Sequence, residues 1–278
     1  MQTNKYILND QAYLMSYIYD DYRVDTKPVA RPAIIICPGG GWMTLSEREG
    51  EPVALEFAQR GYAAFVLHYS VSEKQVAPGD FGLVEKTLTE TEKAYEIIKD
   101  LAKQGGIDNK KVSVMGFSAG GMLASLFASH HPELLSCILC YPVLDIRDEF
   151  EFINSPLCPR ENRELIKKGF SCIGVSDRSE DMWDQIDPIA RINPLMPKTF
   201  IWHGAMDDLV RPAGSINYAQ RLVKTGVGIE LHIYDNCGHG ISLGTRETAA
   251  VEKEINAYGA VWFDQLIRWM EELKNEEK

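Results

Sequence analysis

The segment 116–120 reads Gly-Phe-Ser-Ala-Gly and matches the G-x-S-x-G pattern of a serine nucleophile. Alone the match is weak, because glycine and serine are common. However, it follows the apolar run 112–115 and precedes a helical run from Met122. A strand–turn–helix setting strains the serine backbone and places it at a helix N-terminus, whose dipole favours negative charge. We therefore predict that Ser118 is a nucleophile, the alternative being a structural serine in a glycine-rich turn.

A serine needs a general base to act as a nucleophile, and the chain has six histidines. His239 lies between Gly238 and Gly240 in a loop after the last apolar run, where a side chain can reach a site. His68 and His232 lie in strand-like runs, and His203 ends another and could be structural. We therefore predict His239 as the base.

The acid that orients this histidine should follow the preceding strand. Two candidates, Asp207 and Asp208, come after the run that ends at His203, and motif position favours Asp207. Asp145, after an earlier strand, is a weaker alternative. The resulting chain order is Ser, Asp, His.

Three glycines at positions 39–41 follow another apolar run and precede Trp42. Such a loop lets backbone N–H groups face a cavity, where they bind the oxyanion of a tetrahedral intermediate. We predict Ala119 as one donor, together with Gly40 or Gly41. A phosphate cradle is the alternative, but neither the P-loop pattern nor G-x-G-x-x-G is present.

The elements that must position these residues alternate between strand-like and helix-like patterns. The predicted strands are 12–19, 33–37, 63–69, 111–115, 137–141, 199–203 and 229–234. The predicted helices are 46–59, with a capping box at Ser46 to Glu49, 84–104, 119–129, 212–225 and 255–273. Near-continuous apolar strands suit a parallel sheet covered on both faces, so we predict an α/β fold with a doubly wound, mostly parallel sheet of about eight strands flanked by helices.

One segment, 145–198, is too long for a simple crossover. It contains several prolines and a helical pattern at 161–169. We interpret it as a lid or cap inserted into a single catalytic domain spanning 1–278, where substrate specificity would lie.

Composition limits the classes of function. The chain is 45% hydrophobic and 25% charged, with a net charge of −11, which disfavours nucleic acid and anionic membranes as partners. No signal-peptide pattern or apolar run of membrane-spanning length occurs, so a cytoplasmic protein is expected. The pair Cys137 and Cys140 lies in an apolar run and is interpreted as buried strand residues; no metal site and no cofactor are predicted. The composition is compatible with a homo-oligomer.

Together these motifs resemble the bacterial carbohydrate acetyl esterases (acetyl-xylan-esterase-like) of the α/β-hydrolase superfamily, related to the hormone-sensitive-lipase-like esterases. The resemblance rests on 38–42 (Pro-Gly-Gly-Gly-Trp), 46–52, 116–121, 203–210 and 238–239. It implies the triad Ser118, Asp207 and His239 and the oxyanion glycines Gly40 and Gly41. Pro38 and Met122 stand where related enzymes carry histidine, and these departures leave the acyl preference open.

The expected function is hydrolysis of small carboxylic esters, acetyl esters of carbohydrates above all, through an acyl-enzyme. Trp42, Trp183 and Trp202 are candidates for a sugar-stacking surface, with core packing the alternative for Trp202; Trp42 is the predicted substrate contact.

Two other functions remain open. The first is a peptidase of the acylaminoacyl or prolyl-oligopeptidase type, although those usually add a propeller for which no room exists before Pro38. The second is a non-catalytic small-molecule receptor on the same fold, although such proteins commonly lose the base.

Overall fold

The computed structural model describes residues 1–20 and 30–276. Within these ranges eight strands form one sheet in the order β1-β2-β4-β3-β5-β6-β7-β8. The strands are β1 (Gln2–Ile7), β2 (Tyr13–Ile18), β3 (Arg31–Cys37), β4 (Ala63–His68), β5 (Ile107–Phe117), β6 (Ser136–Cys140), β7 (Thr199–Gly204) and β8 (Ile229–Tyr234). β1 and β2 pair antiparallel, and β3 to β8 are all parallel. The fold prediction is confirmed.

Helices cover both faces of the sheet. They are α1 (Glu51–Gln59), α2 (Gly82–Lys103), α3 (Ala119–Ala128), α4 (Ile146–Asn154), α5 (Arg160–Cys172), α6 (Pro188–Arg191), α7 (Pro212–Thr225) and α8 (Trp262–Glu276). Alternate residues of each strand enter two separate apolar cores: in β3, Ile35 joins one, and Ile34 and Ile36 join the other. This explains why the central strands are apolar at successive positions.

The predicted insertion lies between β6 and β7. It comprises α4, α5, a 3₁₀ segment Asp177–Gln185 and α6. The predicted helix at 161–169 corresponds to α5. Because β3, β5, β7 and β8 run parallel, the segments after their carboxyl ends meet at one edge of the sheet, where α/β proteins bind ligands.

The capping box at Ser46 was predicted wrongly. Ser46 makes no side-chain cap; residues Glu47–Glu49 form a 3₁₀ turn, and α1 begins only at Glu51, with Pro52 in its first turn. The physical reason is that the Glu49 side chain is used elsewhere: its carboxylate accepts hydrogen bonds from the Gly39 N–H and the Tyr141 hydroxyl.

The last helix was predicted to begin too early, at residue 255. Residues Gly259–Val261 form a 3₁₀ turn, and α8 begins at Trp262. The Asn256 side chain accepts a hydrogen bond from the Gly259 N–H, so it competes with helix formation there. Strand β1 was missed because it is a polar, exposed edge strand without apolar alternation.

All six cysteines are free and buried, and Cys137 and Cys140 lie in β6 as expected. In the part of the chain that the structure describes, no helix has the length and apolarity needed to cross a membrane.

Candidate active site

Ser118 occupies a strained turn between β5 and α3. Its backbone has φ 49° and ψ −119°, outside the regions favoured for a residue with a side chain. Both flanking glycines are required by close packing: a Cβ at Gly116 would lie 2.0 Å from the Gly120 oxygen, and one at Gly120 would lie 2.2 Å from the Cys37 oxygen. The predicted strand–turn–helix geometry around Ser118 is therefore present.

His239 lies in the loop after β8 and reaches Ser118. Its Nε2 is 3.0 Å from the Ser118 Oγ, and its Nδ1 is 2.7 Å from Asp207 Oδ2. The Tyr141 ring packs against the imidazole with 5.0 Å between centroids and a 66° angle. The side chains of Ser118, His239 and Asp207 thus form one continuous hydrogen-bonded chain.

Asp207 lies in the turn after β7 and is 5% exposed. Its Oδ1 accepts hydrogen bonds from the N–H groups of Leu209 (3.0 Å) and Val210 (2.8 Å). Asp208 is exposed. Asp145 caps α4 and accepts a hydrogen bond from the Asn217 side chain, so its carboxylate stabilises the start of the insertion. The structure therefore places Asp207, the favoured candidate, beside His239.

The charges of this pair support each other. Burial alone would raise the pKa of Asp207, but the charge of His239 and hydrogen bonds from His203 and His239 hold that pKa far below its ordinary value. Burial would lower the pKa of His239, but the charge of Asp207 and its hydrogen bond raise it above the ordinary 6.5. The arrangement favours an imidazolium after proton uptake, which is what a general base requires.

His203 is a supporting residue whose role in the site the sequence did not reveal. Its Nε2 lies 3.1 Å from Asp207 Oδ2 and 2.9 Å from the Val210 carbonyl oxygen, and its Nδ1 lies 2.8 Å from Ser215 Oγ. Because both neighbours of Nε2 are hydrogen-bond acceptors, the proton of His203 is placed on that nitrogen. His203 therefore donates to the carboxylate oxygen that also faces His239. Its position at the end of β7, four residues before Asp207, was the available signal.

The glycine loop after β3 faces Ser118. Gly40 has φ 132° and Gly41 φ 63°, and a Cβ at Gly40 would lie 2.1 Å from the Thr44 carbonyl oxygen. The Tyr69 hydroxyl donates to the Pro38 carbonyl at 2.6 Å and fixes the start of the loop. Within the described residues, the N–H groups of Gly40, Gly41 and Ala119 have no acceptor. All three residues line the cavity next to Ser118, as an oxyanion site requires.

A cavity of about 300 Å³ opens beside Ser118. Val143, Leu165, Phe170 and Val210 supply apolar lining, and Arg48, Glu49 and Glu149 supply charged groups. Phe170 and Leu165 belong to α5 of the insertion, so the insertion forms part of the cavity wall.

The three candidate tryptophans lie in different environments. Trp42 lines the cavity but is only 2% exposed, at a left-handed φ of 67°. Trp183 is buried and donates to Ser179, and Trp202 is buried against the Trp262 ring. The structure therefore removes Trp183 and Trp202 from any sugar-stacking surface, because both pack in the interior. Across residues 1–20 and 30–276, no cluster of three His, Cys, Asp or Glu side chains could hold a metal ion.

Known proteins share sequence similarity with this chain. Residues 54–266 match the model of the prolyl oligopeptidase family. The chain is 25% identical over 235 residues to endo-1,4-beta-xylanase B of Butyrivibrio fibrisolvens, covering 84% of this chain and 35% of that protein. It is 27% identical over 224 residues to an acetylxylan esterase of Xylanibacter ruminicola, covering 77% and 42%. The chain thus spans about two fifths of the length of these curated relatives.

Solved structures extend the similarity over the whole chain. A sugar hydrolase from Lactococcus lactis is 28% identical with a TM-score of 0.81, each chain covering 100% of the other. An acetyl ester-xyloside bifunctional hydrolase from Caldicellulosiruptor lactoaceticus is 25% identical with a TM-score of 0.76, covering 98% of this chain and 96% of that one. Both similarities support the predicted resemblance to carbohydrate esterases.

Proposed function

The chain belongs to the prolyl oligopeptidase family, and we propose that it is a serine hydrolase that cleaves small carboxylic esters, acetyl esters of carbohydrates above all. One observation carries the proposal: the hydrogen-bonded chain from Ser118 through His239 to Asp207, with distances of 3.0 and 2.7 Å. Such a chain can deprotonate a serine hydroxyl at neutral pH.

The reaction would proceed through an acyl-enzyme. Ser118 Oγ attacks the ester carbonyl while His239 Nε2 takes its proton, and the carbonyl oxygen becomes an oxyanion beside the N–H groups of Ala119 and of Gly40 or Gly41. The C–O bond to the alcohol then breaks, and His239 returns the proton to the departing oxygen. Water then attacks the acyl carbon while His239 takes its proton, the bond between the acyl carbon and Ser118 Oγ breaks, and His239 returns the proton to Oγ as the acid leaves.

The cavity supports a small acyl group. Its volume of about 300 Å³ lies at the lower end of the range for small-molecule sites, and part of it must hold the alcohol. Trp42 would contact the substrate from the oxyanion side. We propose that the insertion 145–198 acts as a cap, since α5 lines the cavity with Leu165 and Phe170.

The relatives support the carbohydrate part. One is named an acetylxylan esterase and one structural neighbour an acetyl ester-xyloside hydrolase. We also propose a cytoplasmic location, because six free, buried thiols suit a reducing compartment. Fractionation of the native host tests it, and recovery outside the cytoplasm would contradict it.

A peptidase is the second candidate, favoured by the family match over residues 54–266. The same triad cleaves amides, so the two candidates differ in leaving group rather than in machinery.

The deciding experiment compares kcat/KM for acetyl, butyryl and octanoyl esters of one alcohol, acetylated xylose, and acylaminoacyl and prolyl amides of matched size. We expect acetyl esters to be fastest, with a steep fall towards octanoyl. Faster cleavage of amides would favour the peptidase, and an octanoyl optimum would refute the acetyl preference.

A further inference from the structure

The 3₁₀ turn Glu47–Glu49 lies between two loops of the candidate site. Glu49 is 3% exposed, and both of its carboxylate oxygens accept a short hydrogen bond. Oε2 accepts from the Gly39 N–H at 2.7 Å, and Oε1 accepts from the Tyr141 hydroxyl at 2.7 Å. The partners come from different strands, since Gly39 follows β3 and Tyr141 follows β6.

The first bond fixes the glycine loop. Gly39 directly precedes Gly40, one of the predicted oxyanion donors. A Cβ at Gly39 would lie 2.8 Å from Glu49 Oε2 and 3.0 Å from the Ser118 Cβ, so the loop is packed tightly between these two side chains. Movement of the Glu49 carboxylate would therefore change where the loop N–H groups lie relative to Ser118.

The second bond fixes the surroundings of His239. The Tyr141 hydroxyl that donates to Glu49 also accepts from the Ser242 N–H at 3.2 Å, three residues after the histidine. The Tyr141 ring packs against the imidazole itself. Arg48, from the same turn, donates to the carbonyl oxygens of Gly240 (3.0 Å) and Thr248 (2.8 Å). The turn thus ties the histidine loop to the glycine loop.

We propose that Glu49 is a positioning residue, which holds the oxyanion glycines and His239 in their working places around Ser118. This rests on the proposed ester hydrolysis. A carboxylate suits the role because it can accept from both donors at once, whereas an amide offers one acceptor oxygen. Burial raises the pKa of Glu49, while the hydrogen bonds from Tyr141 and Gly39 and the charges of His239 and Arg48 lower it. In its ionised form Glu49 adds a negative charge near His239 to those of Asp207 and the exposed Asp208.

The test compares Glu49→Gln with Glu47→Gln, an equal change at an exposed position of the same turn. For Glu49→Gln we expect kcat for an acetyl ester to fall about 10- to 100-fold, because small misplacements of reacting groups have effects of this size. KM should change little. The midpoint of the kcat/KM pH profile should move to lower pH, because a charge that favours the imidazolium is lost. Glu47→Gln should behave as the wild type.

With folded protein, two results would overturn the proposal: equal kcat for both variants, or a loss of kcat without a shift of the midpoint. If Glu49→Gln does not fold, Tyr141→Phe decides, since it removes one of the two bonds and keeps the carboxylate. Tyr141→Phe should lower kcat several-fold, and an unchanged kcat would contradict the proposal.

Failure of the proposed function can be told apart from failure of this inference. If the wild type cleaves no ester, the reaction of Ser118 with a fluorophosphonate still reports on positioning. In that reaction the Oγ–P bond forms, fluoride leaves and the serine proton passes to His239. A slower reaction in Glu49→Gln than in Glu47→Gln would support the role of Glu49 alone, and equal rates would overturn it.

Discussion

Two buried glutamates line the cavity from opposite parts of the chain, and their surroundings differ. Glu49, in the turn before α1, has a partner for each oxygen. Glu149, in α4 of the insertion, accepts from the Arg211 N–H at 2.8 Å with Oε1, but its buried Oε2 has no partner in the described part of the chain. Burial raises the pKa of both carboxyls, that of Glu149 to well above its ordinary value.

This difference between the two glutamates indicates different roles for the two sides of the cavity. On the Glu49 side, we propose that paired polar groups fix the positions of the atoms predicted to take part in the reaction, so any change there should alter kcat. On the insertion side, the cavity is lined by apolar side chains such as Leu165 and Phe170, which limit the size of the substrate. Changes there should alter the choice of ester and leave the reaction itself intact.

The largest effect is expected at Asp207, the predicted acid next to His239. Asp207→Asn should lower kcat by about 10⁴-fold, because the amide favours the wrong histidine tautomer. The control is Asp208→Asn, which changes an exposed neighbour and should lower kcat less than about tenfold, since it leaves the histidine tautomer unchanged. Steady-state kinetics on an acetyl ester measure both, and a crippled Asp208→Asn beside an active Asp207→Asn would contradict the assignment.

The pH dependence is the next largest effect. His239 must be neutral to accept the proton, and its pKa lies above the ordinary 6.5. The value of kcat/KM should therefore rise about tenfold per pH unit at low pH, reach half its maximum at a pH above 6.5, and level off at higher pH. A flat profile from pH 5 to 9, with chemistry shown to be rate-limiting, would speak against this mechanism.

On the insertion side, Leu165→Ala should change selectivity. Leu165 lines the cavity and is 48% exposed, so its truncation should leave the fold stable. The ratio of kcat/KM for butyryl over acetyl esters should rise, by up to about fourfold for each methylene newly accommodated. Leu157→Ala is the matched control, at an exposed leucine of the same insertion outside the cavity lining. Equal ratios in the two variants would remove Leu165 from substrate selection.

The smallest effect is expected at Glu149, the glutamate with one partnered carboxylate oxygen. Gln at position 149 can keep the bond from Arg211, so Glu149→Gln should alter stability by less than about 1 kcal/mol near pH 4.5. Because the folded-state pKa of Glu149 is raised, the wild type should lose stability relative to the variant as pH rises from 4.5. Thermal midpoints of both proteins across pH would show this, and a constant difference would refute the raised pKa.

The sequence predicted the parts of the site that rest on local chain pattern. Ser118 was predicted from its flanking glycines and the apolar strand before them, and His239 from its glycine-flanked loop after the last strand; the structure brings the two side chains together. Asp207 was distinguishable from Asp208 only by motif position, and its burial in the structure gives the physical reason. Its oxygens accept four hydrogen bonds, two from N–H groups of its own turn and one each from His203 and His239.

The supporting residues could not be predicted because their partners are distant in sequence. Glu49 contacts Tyr141, 92 residues later, and was interpreted as part of a helix cap. His203 was predicted to end a strand, with a structural role as one option, and its contact with Asp207 depends on the turn geometry after β7. Local pattern predicts a nucleophile and a base, whereas the groups that contact them depend on packing between elements.

The most direct test of the central claim is to follow labelling of the protein by a fluorophosphonate together with its loss of esterase activity. We predict that one equivalent reacts, that the phosphonyl group is found by mass spectrometry on Ser118, and that acetyl-ester hydrolysis falls in proportion to labelling. Ser118→Ala should remain folded, resist labelling and show only residual turnover. Undiminished hydrolysis by fully labelled protein, or normal turnover by pure Ser118→Ala, would contradict the account.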